Sequence, residues 1–495
     1  MSPSPLPHST EGVESLGWAR RGSRWAGRRV RVPIAFVSLS LAGCAHYQEF
    51  PLSPQSTATS VEGRSLQSEP LRDFLEANHV SVPRPKDEWN LKQLTLVAFY
   101  YQPALAEARA QLLAAQAAQL SAGARPNPSL TLTPGYDSGI PGSSSPWIVP
   151  LAVDVPIETA GKRGYREARA LHASESARWG VVGAVWQVRS RVRAALLELY
   201  AGHEAESILA HQEEVQDKVI RLLEGQHAAG LMSGYDITQA RVTLDNTRVA
   251  REQAAAQYHQ ARVQLAGALG VPVQTLANCV FSFADFAGLP RQLTLPEIRR
   301  NALLNRADVR GALADYGASQ SALQLEIANQ YPDVHLGPGY SWNTGSAGDS
   351  EWALGVTLTL PVVNRNEGPI AEAKARRELA AAHFLTVQSQ ALNEIDGALA
   401  AYSSALQQVA AAEGLQESLR KRLDSVRAQV QAGGAEPLTV ASAEAESGAG
   451  AQSRLDALVK AQQALGQLED AVQSPLTLSQ DEVGAAALDP QKAAK

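Results

Sequence analysis

Trp147-Ile148-Val149-Pro150-Leu151-Ala152-Val153-Asp154-Val155-Pro156-Ile157 alternates in polarity, and so does Trp352-Ala353-Leu354-Gly355-Val356-Thr357-Leu358-Thr359-Leu360-Pro361-Val362, about 205 residues later. In the first stretch Trp147, Val149, Leu151, Val153, Val155 and Ile157 share one face. In the second, Trp352, Leu354, Val356, Leu358, Leu360 and Val362 oppose Ala353, Gly355, Thr357 and Thr359. A period of two is the signature of a strand. Each stretch follows another of the same kind. Ser129–Asp137 places Leu130, Leu132 and Tyr136 together, and Asp333–Trp342 sets Val334, Leu336, Tyr340 and Trp342 against Asp333, His335, Gly337 and Ser341. The spacing predicts two hairpins, 129–157 and 333–362. Strands of about 9–11 residues cross a bilayer when tilted, and aromatics near strand ends suit its interfaces. A soluble periplasmic sheet is the plainer alternative, but it leaves the lipid-facing Trp147 and Trp352 unexplained.

Four strands cannot close a barrel. Backbone in lipid must be paired in a closed structure, and the smallest barrels have about eight strands. Several copies must therefore pool their strands. The inward positions are small or polar, including Asp154 and His335. That suits a wet lumen, which a barrel of about eight strands lacks and a larger one has. The expectation is a twelve-stranded barrel built by a homotrimer.

Most of the remaining chain reads as helix. No proline lies between Pro156 and Pro272, so a helix from about Tyr165 to Gln226 can reach about 90 Å. After a break at Ala229–Gly234, a second helix returns from about Asp236 to Leu269. The pattern repeats. Pro128-Ser129-Leu130 through Tyr136 matches Pro332-Asp333-Val334 through Tyr340, Glu167-Ala168-Arg169-Ala170 matches Glu372-Ala373-Lys374-Ala375, and Ala229-Gly230 through Ile237 matches Ala432-Gly433 through Val440. These offsets all fall near 204 residues, so the chain is an internal duplication. The fold class expected is mainly α with a membrane β-barrel, in which long antiparallel helical hairpins form a periplasmic α-barrel.

The N-terminus reads as an export signal. Six arginines, Arg20 to Arg31, precede the apolar run Val32–Leu41, which is too short to span a bilayer as a helix. Leu41-Ala42-Gly43-Cys44 resembles a bacterial lipobox, which implies lipidation of Cys44. Ala45, not Asp, after the cysteine favours the outer membrane by the same resemblance. The domains expected are a signal peptide, 1–43; a lipidated extended tether, 44–88; a first repeat, 89–290, with its helical tip near 229–240; a second repeat, 291–472, with its tip near 432–443; and a disordered tail, 473–495. Cys279 is then a lone cysteine, most simply a buried structural one.

Composition narrows the function. Residues 1–43 carry a charge of +4 against −6 for the whole chain, which leaves −10 elsewhere with no basic run. That is a poor surface for nucleic acid. There is no His-Glu-x-x-His, Cys-x-x-Cys, Gly-x-Ser-x-Gly or phosphate loop, so no enzyme, cofactor or metal site is assigned. His203 and His211 lie two helical turns apart, about 12 Å, too far to share a metal.

With lipobox, duplication, four strands and helical hairpins in place, residues 85–472 resemble the TolC family of outer-membrane efflux factors. The best motif is the tip, Ala229-Gly230-Leu231 with Asp236-Ile237 and Ala240, and its copy Ala432-Gly433-Gly434 with Thr439-Val440 and Ala443. The resemblance implies that these tips close the periplasmic entrance and dock a membrane-fusion adaptor, which joins the duct to an inner-membrane transporter of RND type. Gly230, Leu231, Asp236, Gly433, Gly434 and Thr439 are the docking candidates; for the glycines the plainer reading is a helix C-cap. Some family members carry an acidic ring after the second tip. Thr439 and Ser442 stand at the matched positions here, and Glu436, Glu444 and Glu446 lie nearby, with Glu436 and Glu444 the candidate aperture acids. The segment Val155–Arg163 resembles the same turn in CzcC-type heavy-metal efflux proteins; taken alone it is a connector that puts Lys162 and Arg163 at the membrane interface. The function expected is passive conduction from pump to exterior, with heavy-metal cations or small organic compounds as cargo. The rivals are a pore-less coiled-coil envelope lipoprotein and a periplasmic lipoprotein enzyme.

Overall fold

The computed structural model describes residues 47–83, 87–136, 147–290, 295–343 and 350–476. Cys44 lies outside them, as do most of both hairpin loops and residues 477–495. Residues up to Ser56 form a unit by themselves, exposed throughout its described part. Thr57 onward forms the second unit.

The elements run α1 (Pro54–Glu62), α2 (Glu69–Ala77), β1 (Glu88–Trp89), α3 (Leu91–Tyr101), α4 (Pro103–Ala122), β2 (Ser129–Leu132), β3 (Gly135–Tyr136), β4 (Trp147–Ile157), α5 (Lys162–Ala228), α6 (Gly234–Leu269), β5 (Val280–Phe281), α7 (Leu295–Asn305), α8 (Ala307–Ala328), β6 (Val334–Asn343), β7 (Ser350–Leu358), α9 (Glu367–Gln431) and α10 (Pro437–Val472). The boundaries have local causes. Asn90 and Gln93 cap each other's backbone N–H groups and start α3. Proline at the first turn opens both α4 and α10 without losing a hydrogen bond.

The sheet is an antiparallel meander in the order β2–β4–β6–β7, with β3 also on β4. Strands from the two repeats meet at β4 and β6, where Val155 faces Leu336 and Leu151 faces Tyr340. The duplication is visible in side chains. Tyr136 pairs with Trp147 at 5.3 Å between ring centroids, and Tyr340 pairs with Trp352 at 4.7 Å. Two strand expectations are corrected. The first strand is interrupted at Thr133-Pro134, because proline brings no N–H to the ladder. The fourth ends at Leu358 rather than Val362, where Pro361 follows and Val362 N–H turns back to Leu360 O.

The long helices stand side by side. Toward the tips the neighbour order is α6–α5–α10–α9, and toward the strands it is α4–α5–α8–α9. Between these zones lies the main core. Leu94, Phe99, Leu196, Leu199, Leu265 and Leu269 are fully buried there, and Ile395, Leu465 and Leu468 form a second cluster. The expected extended tether is instead partly helical. Leu71, Phe74 and Leu75 of α2 are buried in this core, and Arg64 Nη1 donates to Tyr101 O at 3.0 Å and Gly270 O at 2.6 Å. A cation at two helix C-termini is favoured by both dipoles. The tail also begins later than expected, since Gln473 Oε1 accepts from Ala307 N–H at 2.7 Å.

A buried polar network joins the repeats. Arg189 on α5 donates to Glu469 on α10 at 2.9 Å, with 3% and 1% of the side chains exposed. Arg193 donates to Gln462 Oε1 and O, and Gln462 Nε2 donates to Phe286 O and Gly288 O between the repeats. Gly466 leaves the space, since a Cβ there would lie 2.4 Å from Arg193 Nη1. Burial pulls the Arg193 guanidinium below its usual range and raises Asp470, which accepts from Ser190 Oγ. Removing one member of a buried pair strands the other charge. Glu469→Ala is therefore expected to cost about 3–5 kcal/mol, measured as lower thermal resistance of the assembled protein on gels.

Candidate functional site

The two helical tips are built alike. At the first, Gly230 N–H donates to His227 O and Leu231 N–H to Gln226 O, both at 2.9 Å. At the second, Gly433 N–H donates to Val430 O at 3.0 Å and Gly434 N–H to Gln429 O at 2.9 Å. Each is a Schellman closure, which needs a residue at positive φ. Gly230 has φ +75° and Gly433 has φ +78°, with open space around both. The geometry thus accounts for these two glycines as C-caps, the plainer of the two readings.

The other tip candidates divide. Leu231 is 73% exposed, and Tyr235 in the first turn of α6, which the sequence reading missed, is 75% exposed. Asp236 is occupied locally: its Oδ2 accepts from Ser233 Oγ at 2.7 Å and Ser233 N–H at 3.3 Å, a cap for α6. Thr439 is exposed in the first turn of α10, where its N–H donates to Glu436 O.

The two candidate aperture acids are ties between helices. Glu436 Oε2 accepts from Gln226 Nε2 at 2.6 Å and so links the second tip to the first. Glu444 pairs with Arg427 of α9 at 2.7 Å and with Lys218 of α5 at 3.5 Å. The Arg427 hydrogen bond holds the Glu444 carboxyl below its usual range. Glu446 pairs with Arg422 at 2.8 Å. The first hairpin has its own version of the Glu444 tie. Glu224 of α5 pairs with Arg241 of α6 at 2.7 Å, and these positions lie 203 residues before Arg427 and Glu444. The same crossbar therefore recurs with its charges exchanged. That exchange is legible once the repeats are aligned.

The strand-to-helix junction is a second constellation. Lys162, expected at the membrane interface, is buried; its Nζ donates to Asp333 Oδ1 and Tyr331 O, both at 2.8 Å. Its charge is used to stitch the exit of the first hairpin to the entry of the second. Thr159 adds two bonds to the same loop, to Asp333 Oδ1 and Pro332 O. Arg163 pairs with Glu167 within its own helix, and Arg166 pairs with Glu158. Above this junction His335 and Asp154 meet across β6 and β4.

Among the described residues no helix is long and apolar enough to cross a membrane, and no three His, Cys, Asp or Glu side chains converge as a metal site. Cys279 is half-buried, donates to Thr275 O, and has its thiol pushed up by burial.

The exchanged crossbar makes a sharp test. Glu444→Arg should loosen the second hairpin, by about 1 kcal/mol or less for each partly exposed pair. Adding Arg427→Glu recreates the polarity of Glu224–Arg241 and should restore part of the loss, and adding Lys218→Glu the rest. Thermal midpoints of the three variants check this; equal loss in all three would refute the crossbar.

The profile of the outer membrane efflux protein family matches residues 100–271 and again 298–472, one match in each repeat. Among curated proteins, the chain is 26% identical over 237 residues to the cobalt-zinc-cadmium resistance protein CzcC of Cupriavidus metallidurans, covering 47% of this chain and 54% of that one. It is 26% identical over 285 residues to the pyoverdine export outer membrane protein OpmQ of Pseudomonas aeruginosa, covering 52% and 58%. The chain thus spans little more than half the length of either relative. Among solved structures, the outer membrane protein VceC of Vibrio cholerae superposes with a TM-score of 0.63 at 21% identity, over 77% of this chain and 95% of that one. This last likeness is one of fold. With the family profile matched across both halves, the chain belongs to the outer membrane efflux protein family, the TolC-type channels.

Proposed function

We propose that the protein is the outer-membrane exit duct of a tripartite efflux pump, working as a homotrimer. The observation that carries this reading is a layer with open edges. The sheet stops at β2 and β3 on one side and at β7 on the other, while the helical layer stops at α6 or α4 on one side and at α9 on the other. Edges facing lipid must be paired. A head-to-tail ring does this by setting one copy's β7 against the next copy's β2, and its α9 against the next copy's α6 and α4.

The side chains at these edges suit the contact. Tyr235, Val242, Val249, Ala256 and Val263 form an exposed row along α6, one per heptad. On α9, Leu415 is exposed at about the height of Val249, each about 23 Å from its tip. Toward the strands, Leu113 and Leu120 of α4 are exposed, as are Leu379 and Leu385 of α9.

Conduction is passive, with no catalytic step. The signal 1–43, the lipid on Cys44 and the two repeats retain the roles read from the sequence. An adaptor seats on the first tip at Leu231 and Tyr235, and an inner-membrane transporter supplies the energy. Heavy-metal cations are the favoured cargo, supported by the likeness to CzcC and the Val155–Arg163 turn. The equal identity to OpmQ supports an organic compound as the second reading.

In a Cys279→Ser background, Val249→Cys with Leu415→Cys should yield a disulfide-linked trimer under oxidation, and each single variant should not. Dimers alone, or no cross-link in a membrane-embedded protein, would refute the ring. Deleting the chain from its host should sensitise cells to cobalt, zinc or cadmium salts; sensitivity to organic compounds alone would transfer the cargo to the second reading.

A further inference from the structure

We propose that His335, backed by Asp154, is a transit binding site for borderline divalent cations on the inner wall of the barrel. The inference rests on the channel reading, since the wall is a lumen only in the closed ring. His335 Nδ1 lies 3.0 Å and 3.2 Å from the two carboxylate oxygens of Asp154. With Nδ1 turned to the carboxylate, Nε2 is the nitrogen that faces away from Asp154 and is the one a ligand would use. Histidines that bind metals are oriented in this way, with the second nitrogen held by a carboxylate that raises the ring's basicity.

The His335 side chain is about one-third exposed. His335 stands on the polar face of β6, opposite Pro156 and Thr357. The next positions along that face are Gly337 and Gly339, paired on β7 with Gly355 and Ala353, so the neighbours on that side are small. The two side chains are 36% and 45% exposed. Other charges near the site are already matched: Asp333 by Lys162, and Glu158 by Arg166.

The pair is not repeated: the matched positions are Thr131 for His335 and Thr359, just past the end of β7, for Asp154. Imidazole selects zinc, cobalt, nickel and copper over magnesium, which prefers oxygen ligands. A site with one nitrogen ligand and the rest water exchanges quickly, and a conducting pore needs binding weak enough to release. Three copies would place three such sites around the lumen.

Single-channel recording of the full trimer in planar bilayers, with zinc chloride at millimolar concentration against magnesium chloride, tests this. Zinc should reduce wild-type conductance and magnesium should not. His335→Ala should raise the half-blocking zinc concentration about tenfold or more, and Asp154→Asn should raise it by a similar factor, as loss of an orienting carboxylate does. His335→Gln, which keeps a hydrogen bond to Asp154, serves should alanine impair assembly, and it should lose the block as well. A wild-type channel that conducts but ignores zinc overturns the site and leaves the channel reading intact. Equal block in wild type and both His335 variants overturns it too. A wild-type protein that never conducts overturns the channel reading, and this inference with it.

Discussion

The sheet ends on unpaired backbone at both sides, and that single condition governs the architecture. β7 offers a nine-residue edge and β2 with β3 a broken one. In water such edges invite aggregation; in lipid they are not tolerated at all. Copies of the same chain are the natural partners, because each supplies the edge that the other lacks. The helices inherit the arrangement. α4 and α8 lead into the two hairpins, and α5 and α9 lead out of them, so a sheet that closes into a ring carries the helices into a ring with it.

The helical layer has a firm level and a lighter one. At the firm level Arg189, Arg193, Gln462 and Glu469 tie α5 to α10 out of water, and the chain between the repeats is tied in through its carbonyls. Burial makes these bonds costly to break. Toward the tips the contacts change character. Exposed or half-exposed pairs such as Glu224–Arg241 and Lys218–Glu444 cross between helices, and pairs of that kind contribute little each. A lever anchored at one level and lightly fastened at its end is suited to movement at the end. Glu436 and Glu444 belong to those fastenings, and their carboxylates are occupied by Gln226, Arg427 and Lys218.

The two repeats have kept their shape and changed their chemistry. Both tips close with the same pair of bonds and the same positive-φ glycine. Yet only the first exposes a leucine and a tyrosine, only the second has an acid reaching across to its sister, and the crossbar has exchanged its signs. On the barrel wall one hairpin pair holds His335 and Asp154 where the copies hold threonine. Backbone geometry tolerates such exchange because alternation and turn chemistry set it, whereas side chains outside the packed core are free to diverge.

Much of this is legible in the order of residues. Strand alternation, helix periodicity, the glycine breaks and the constant offset are local or repetitive signals, and they located the hairpins, the long helices and the two tips. The breaks at Pro134 and Pro361 were also local, but the alternating pattern ran past them. What a linear reading could not supply were pairings between residues far apart. Lys162 looked like an interfacial cation until Asp333 was found 2.8 Å away across 171 positions. The segment around Arg64 looked like a tether, because its partners, Tyr101 O and Gly270 O, are backbone atoms that carry no signature of their own. Glu444 reads in the sequence as a candidate aperture acid, and the fold brings Lys218 and Arg427 to it. Periodicity is written in the order of residues, so the chain alone determined its elements and its duplication. The state of each charge depends on which distant atom satisfies it, and only the tertiary structure decided that.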